Sequence, residues 1–438
     1  MKKAIIILIN KIINKIGKLV GKGSSLPGRI SLKLDKDIFK KIVLPDKIIV
    51  VTGSNGKTST TEMICNILER NGLKVGCNKE GSNQTEGVTT MILNACNFKG
   101  IVQKDVLVIE SDERYTRNTF KLFKPKYLVI TNLYRDQMTR NGHPEHIYNI
   151  IKDAITDDIS LVLNADDPLS SLFGYKRDNV IYYGMNRNSL SHTVNKSVYN
   201  DSKYCPNCKA LLQYDYYNYA HIGSYSCPQC GHKRENVTYA ITDLRLSEGQ
   251  VVFDNDYNIK MNMSSPYSAY NMLAAYSVCN LVGIEKKQIV NVLNNYVMQN
   301  DRVQTFDLNG HNAMLLTSKH ENSISYNQSL EYVVRENKDC TVVIIIDAVS
   351  RKYFTSETSW IWDIDFELLE AKNVKKIILA GKYVYDLVQR FDYTGIPKEK
   401  IFVIQDLDEM MKETKENSIG NIYVVTCFSD RMKFLDRR

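Results

Sequence analysis

Residues 47–60 read Lys47-Ile48-Ile49-Val50-Val51-Thr52-Gly53-Ser54-Asn55-Gly56-Lys57-Thr58-Ser59-Thr60. The apolar run predicts a buried strand, the Gly53 to Gly56 stretch a tight loop, and Met63, Ile64, Ile67 and Leu68 then recur at helical spacing. A strand, a glycine loop and a Lys-Thr pair opening a helix make a phosphate cradle. The glycines let backbone N–H groups turn into the loop, Lys57 reaches the β- and γ-phosphates, and the Thr58 hydroxyl ligates Mg2+ at the positive end of the helix. Gly53, Ser54, Asn55, Gly56, Lys57, Thr58 and Ser59 are therefore the candidate nucleotide contacts, with ATP expected ahead of GTP.

Further along, short β-branched runs alternate with helical patterns: 106–109, 127–131, 161–163 and 180–183. Such alternation predicts a mostly parallel sheet covered by helices on both faces. A second alternating region starts at Asp307, with strands expected at 342–346, 376–379, 401–404 and 422–425. The expected layout is an N-terminal helix and linker over 1–46, an ATP-binding α/β domain over 47–306 and a Rossmann-like α/β domain over 307–438. At 438 residues the chain is long enough for two or three cores of its own.

Between about 201 and 235 the pattern breaks, and Cys205-Pro206-Asn207-Cys208 and Cys227-Pro228-Gln229-Cys230 stand eighteen residues apart. This is the spacing of a zinc ribbon, in which two knuckles bring four thiolates onto one tetrahedral ion. A closed four-cysteine site has no open coordination position, so its expected role is structural. Tyr214, Tyr216, Tyr217 and Tyr219, with Lys233 and Arg234, could form a stacking surface, but a small knuckle needs such rings for its own core and no nucleic acid is expected. The other six of the ten cysteines are scattered in apolar segments, which argues for a reducing compartment and against a disulfide scaffold.

The formal net charge of +8 is moderate, and much of it comes from an N-terminal run with no acidic residue before Asp35. Met1-Lys2-Lys3 and the following isoleucines resemble the start of a secretory signal, but Asn10 and Lys11 interrupt the run too early. Ile5, Ile9, Ile12, Ile16 and Leu19 share one helix face, which makes an amphipathic basic helix. Two readings of it stand: a helix docked on the protein's own core, or one touching an anionic membrane surface. Residues 21–28, rich in glycine and serine, read as a linker.

The shortened loop Gly53-x-x-Gly56-Lys57-Thr58 resembles that of the Mur ligase superfamily. The stretches Asn78 to Asn83, Val108 to Glu113, Thr131 to Met138, Asn164 to Pro168, Tyr182 to Gly184, Ser268 to Ala275 and Thr358 to Asp363 resemble, in the same order, one branch of it. That branch is the MurT ligase subunits of lipid II isoglutaminyl synthases. The resemblance implies a Mur ligase-type ATPase domain with an inserted four-cysteine zinc ribbon. It also implies amidation of the α-carboxylate of D-glutamate in the lipid II stem peptide, at the cytoplasmic face of the membrane, with ammonia from a separate GatD-type glutaminase. Such chemistry needs ATP, because a carboxylate must become an acyl phosphate before nitrogen can attack it. Mg2+ would be held by Thr58 and by Glu110, at the C-terminal end of a strand where ligands of open α/β sheets bind. By the same resemblance Asn271 contacts the adenine, and Arg302 reaches toward the nucleotide from the domain junction. Fewer than fifty residues precede Lys47, too few for the UDP-sugar domain of ordinary Mur ligases, which agrees with a lipid-carried substrate.

Two stretches depart from the family. Where it has Asp-Asn-x-x-Ala-Asp-Gly-Arg-Asp-x-Ser-Trp, this chain runs from Asp347 to Trp360 and places Glu357 where an aspartate is expected to complete the glutaminase triad. Glu357 can orient a histidine too, but its extra methylene moves the carboxylate by about 1.5 Å. The family's Asn-Pro-Ala-Gly is His320-Glu321-Asn322-Ser323 here. The alternatives are a divergent Mur-type ligase that adds another amine or acts on another carboxylate, and a non-catalytic protein that binds nucleotide and carries a zinc ribbon.

Overall fold

A computed structural model describes residues 2–19, 24–78, 82–261, 265–297, 302–348 and 357–438. The chain divides into two compact units: Met1–Tyr134, Pro144–Lys196 and Asn200–Met298 form the first, and Arg135–His143, Ser197–Tyr199 and Gln299–Arg438 the second.

The strands of the first unit are β1 (Lys47–Thr52), β2 (Val75–Cys77), β3 (Val106–Glu110), β4 (Tyr127–Ile130), β5 (Ser160–Asn164), β6 (Val180–Met185), β7 (Gln213–Tyr219), β8 (Ile222–Ser226), β9 (Tyr239–Arg245), β10 (Gln250–Phe253) and β11 (Tyr257–Lys260). Nine of them form one sheet in the order β11-β10-β9-β6-β5-β4-β1-β3-β2, while β7 and β8 pair as a separate hairpin. From β2 to β9 every pairing is parallel, and β10 and β11 add an antiparallel edge. The central strands are buried on both faces, which is why they read as unbroken apolar runs rather than alternating ones. β1 lies between β3 and β4, and β2 lies beyond β3, so the strand order reverses at β1. A crevice opens at the C-terminal end of such a strand.

The helices α1 (Lys2–Leu19), α2 (Leu26–Leu34), α3 (Lys57–Arg70) and α4 (Thr85–Ala95) belong to this unit. α1 packs on α2 and α4, but through a different face from the one its isoleucine stripe suggested. Ile6 and Ile7 are buried with Val88, Ile92 and Leu93 of α4, whereas Ile5, Ile12, Ile16 and Leu19 of the stripe are exposed. Asn10 decides the matter, being fully buried with its Nδ2 donating to Thr90 O at 3.1 Å and Asn94 Oδ1 at 2.9 Å. The expected linker is also corrected at its far end: Leu26, Pro27 and Gly28 open α2, and 20–23 lie outside the described residues. Gly28 serves close packing, since a Cβ there would meet Glu86 O of α4 at 1.9 Å.

The second unit contains β12 (Val303–Leu308), β13 (His311–Ser318), β14 (Cys340–Ile345), β15 (Val374–Ala380), β16 (Ile401–Ile404) and β17 (Asn421–Cys427), in the order β12-β13-β17-β14-β15-β16. β12 and β13 form an antiparallel hairpin; the others pair in parallel. β14 shows the two-residue period of a strand with both faces covered: Val342 and Ile344 enter one core and Val343 and Ile345 the other.

Candidate functional site

The loop after β1 is braced by the loop after β4. Ser54 N–H donates to Asn132 O at 2.9 Å, Asn55 N–H to Asn132 Oδ1 at 2.8 Å, and Thr131 Oγ1 to Asn55 O at 2.6 Å. Ser54 Oγ donates to Tyr134 O at 3.0 Å and accepts the Tyr134 N–H at 2.9 Å. Thr131, Asn132 and Tyr134 thus hold the loop open in one shape, a role the sequence reading gave them no part in. Its signal was a polar Thr-Asn pair directly after a buried strand.

Gly53 and Gly56 both have positive φ, 131° and 84°. Gly56 N-caps α3, and the first N–H groups of a helix have no partner inside it, so they are available to an anion. Asn271, on the helix Pro266–Leu281, packs directly on Gly56: a Cβ there would lie 2.0 Å from Asn271 Oδ1. Thr58 is exposed at the loop mouth and Ser59 half-buried.

Lys57 is buried, and its ammonium donates to Gly53 O, to Ser54 O at 3.2 Å and to Glu113 Oε2 at 2.8 Å. A buried lysine must be paired, because an isolated ammonium out of water is very costly. Glu113, itself buried, is a site residue to which the sequence reading gave no role; its signal was a second glutamate three residues after the strand-ending Glu110. Glu110 sits opposite Val51 in register, at the same end of the sheet as the loop. Its carboxylate accepts from Asn83 Nδ2 at 2.9 Å, and Asn78 clamps its backbone from both sides at 2.8 and 2.9 Å. Lys79 to Gly81, between these asparagines, lie outside the described residues. Among the described residues, then, Lys57, Thr58, Glu110 and Asn271 gather at one sheet end, a donor set that suits a triphosphate with Mg2+.

The four cysteines also converge, their sulfurs all within 4.8 Å of one another. Cys205 Sγ lies 3.6 Å from Cys230 Sγ, and Cys208 Sγ 3.4 Å from Cys227 Sγ. A tetrahedron with Zn–S bonds of about 2.3 Å has edges of about 3.8 Å, so the set fits zinc. Each knuckle closes in the same way: Cys205 N–H donates to Ala210 O and Cys227 N–H to His232 O, both at 2.7 Å. Lys209 and Gly231 supply the left-handed turn residue, at φ 67° and 74°. The His232 N–H draws the Cys230 thiol down, whereas burial pushes the Cys205 thiol up.

The ribbon's tyrosines pack inward. Tyr219 OH bonds Tyr134 OH at 2.6 Å, Tyr216 OH donates to Met185 O at 3.1 Å, and Tyr214 stacks on Tyr217 with centroids 4.2 Å apart. Arg234 pairs with buried Asp166 at 2.6 Å, and Met185 N–H and Tyr270 OH donate to the same carboxylate. Burial raises Asp166 above the ordinary carboxylate range, although the Arg234 charge opposes it.

In the second unit Arg302 precedes β12, with its guanidinium 5.4 Å from the Phe428 ring. Glu357 is exposed and accepts the Ser359 N–H at 2.7 Å; the Ser359 hydroxyl, and after it this N–H, hold its carboxyl below the usual range. Positions 349–356 of the departing stretch lie outside the described residues. The other departure is a folded corner. His320 Nε2 meets Ser429 Oγ at 2.8 Å, Glu321 accepts from Thr139 Oγ1 at 2.7 Å, and Asn322 caps the helix Ser323–Arg335 while donating to Asp136 at 3.0 Å.

The chain is similar to known proteins in sequence and in fold. Residues 51–211 match the Mur ligase middle domain, and the fold is shared with a pseudomurein peptide ligase type C from Methanothermus fervidus (TM-score 0.68, 21% identity, 92% of this chain and 79% of that one) and MurF from Acinetobacter baumannii (0.63, 14%, 93% and 80%). Fold and matched domain together define a protein of Mur ligase-type architecture. Residues 320–430 match the MurT ligase C-terminal family. The chain is 34% identical over 419 residues to the lipid II isoglutaminyl synthase (glutamine-hydrolyzing) subunit MurT of Staphylococcus aureus (strain COL), covering 95% of this chain and 93% of that one. The MurT subunit of Streptococcus pneumoniae (strain ATCC BAA-255 / R6) is 30% identical over 429 residues, 95% of this chain and 92% of that one. The chain belongs to the MurT family.

Proposed function

We propose that the chain is the ligase subunit of a glutamine-hydrolysing lipid II isoglutaminyl synthase. It spends ATP to convert the D-glutamate α-carboxylate of the stem peptide into an acyl phosphate, which ammonia from a GatD-type glutaminase then attacks. One observation carries the reading: a braced phosphate loop with Lys57, Thr58 and Glu110 at one sheet end, in a chain similar over its length to named MurT subunits.

Lys57 would exchange Glu113 for the transferring phosphoryl group and spread its charge. Thr58 and Glu110 would hold Mg2+, which supplies charge neutralisation on the phosphates. The loop residues Gly53 to Ser59, with Asn271 and Arg302, are assigned to the nucleotide, and Glu357 to orienting the glutaminase histidine. Cys205, Cys208, Cys227 and Cys230 would hold a structural Zn2+. The working layout is 1–46, 47–306 with the ribbon inserted, and 307–438, and the place of action is the cytoplasmic face of the membrane, where lipid II is presented.

The test is reconstitution with a GatD-type glutaminase, glutamine, ATP and lipid-linked muropeptide. A new carboxamide formed in step with ADP is the expected result. ADP release without amidation, or no engagement of ATP, refutes the proposal.

A further inference from the structure

The chain's charge is concentrated in one place. Residues 1–46 hold eleven lysines and arginines against three aspartates, and the rest of the chain balances at forty-six of each sign, so the +8 lies entirely in the N-terminal segment. This segment also carries an apolar face that the fold leaves uncovered.

Because α1 docks through Ile6, Ile7 and Asn10, its opposite face points outward. Ile5, Leu8, Ile12, Ile16 and Leu19 are 54%, 45%, 48%, 57% and 84% exposed, and at 3.6 residues per turn they fall on one stripe. The loop that packs beside the helix carries further exposed apolar residues. Lys11 donates to Cys96 O at 2.6 Å with its ammonium 5.4 Å from the Phe98 ring, and Lys3 donates to Lys41 O at 3.0 Å, so residues 96–101 and 41–43 flank the helix. There Phe98 is exposed, and so are Val43 and Ile101, which bridge to each other. Lys2 and Lys15 of the helix and Lys99 of the loop are exposed.

We propose that α1 and its flanking loop form a docking face for an anionic phospholipid surface, with the helix lying in the plane of the interface. An aliphatic stripe edged by lysines matches acyl chains beneath anionic headgroups. Two other occupants answer only one half of the face. A second copy would oppose two concentrations of like charge. Nucleic acid phosphates would meet the lysines but give the isoleucines nothing, and the stripe has no aromatic platform for bases. α1 is about 27 Å long, and no helix among the described residues is long and apolar enough to cross a membrane, which fits lying on a bilayer rather than spanning it. The inference rests on the ligase reading only for its purpose, bringing the enzyme to a lipid-carried substrate.

The test is sedimentation of the full chain with vesicles of phosphatidylglycerol and phosphatidylcholine, and with phosphatidylcholine alone. Binding to the anionic vesicles should be at least about tenfold tighter, and should weaken with added salt. Ile12→Gln with Ile16→Gln should lower it about tenfold or more, while Lys2→Gln with Lys15→Gln should lower it and reduce its salt dependence. Both pairs are exposed, so the melting temperature and ATP binding should not change. Absence of vesicle binding, equal binding to neutral vesicles, or indifference to the isoleucine pair overturns the proposal, as does self-association that those substitutions abolish. Amidation of detergent-dispersed substrate separates the two readings: intact amidation without vesicle binding sinks the docking face alone, and vesicle binding without amidation sinks the ligase alone.

Discussion

Replacing Gly56 by alanine tests how the phosphate loop is held. At φ 84° an L side chain is strained by about 1–2 kcal/mol. The new Cβ would also lie 2.0 Å from Asn271 Oδ1 and 2.8 Å from its Cγ, where ordinary contact begins at 3.4 Å, so Asn271 must leave its rotamer. That displacement adds about 0.5–1.5 kcal/mol, for a total of about 1.5–3.5 kcal/mol. The contact is within the fold itself, so the cost falls on folding, and the melting temperature should drop by about 3–14 °C. The two terms separate in a double-mutant cycle. Asn271→Ala removes the three atoms nearest to the Cβ, so adding it to Gly56→Ala should restore about 1 kcal/mol while the dihedral strain remains. Differential scanning calorimetry of the four proteins reads the coupling. Strictly additive single effects would refute the argument that Asn271 limits the loop.

Four further outcomes follow from the site and the second unit. Lys57→Gln should abolish ATP-dependent amidation, read as carboxamide formed per ADP, and full activity would refute the loop assignment. Glu113→Gln should lower the stability of the nucleotide-free chain by about 1–3 kcal/mol by removing a charged partner from a buried ammonium, while tightening ATP binding because the phosphates no longer compete with a carboxylate; calorimetry with and without ATP distinguishes the two effects. Cys208→Ser should reduce bound zinc from one ion per chain to well below one by elemental analysis and reduce folded yield, with no direct effect on the phosphate loop. Burial alone would raise Asp347, but Lys433 and the Lys382 N–H outweigh it and hold its carboxyl below the ordinary 3.8. Its contribution is therefore present above 3.8 and lost as pH falls through the lower folded value, and Asp347→Asn should flatten the acid limb of a stability-versus-pH curve for the second unit.

The buried Lys57–Glu113 pair bears on how the proposed nucleotide would enter. Both side chains are nearly sealed from solvent, so neither charge can be left alone without a large penalty. Under the proposed function an incoming phosphate would take the place of the Glu113 carboxylate at the ammonium.

What the sequence by itself determined is whatever depends on neighbours close along the chain. The strand-loop-helix at 47–60, the alternation of strands and helices, and the two knuckles with their four cysteines were legible because phosphate cradles, strand period and tetrahedral thiolate sites are set by spacings of a few residues. Tertiary structure alone decided the partnerships of residues far apart. It brought Asn271 onto Gly56, Glu113 onto Lys57 and Asn132 onto the loop backbone, and no local spacing encodes these contacts. It also settled α1, where helical period marks a stripe but cannot say which side will be covered. A buried asparagine with partners on α4 turned Ile6 and Ile7 inward and left the longer stripe to the outside. The same holds for Pro27 and Gly28: composition reads them as a break in the chain, whereas the close approach of α4 makes glycine the side-chain-free residue that a helix crossing requires.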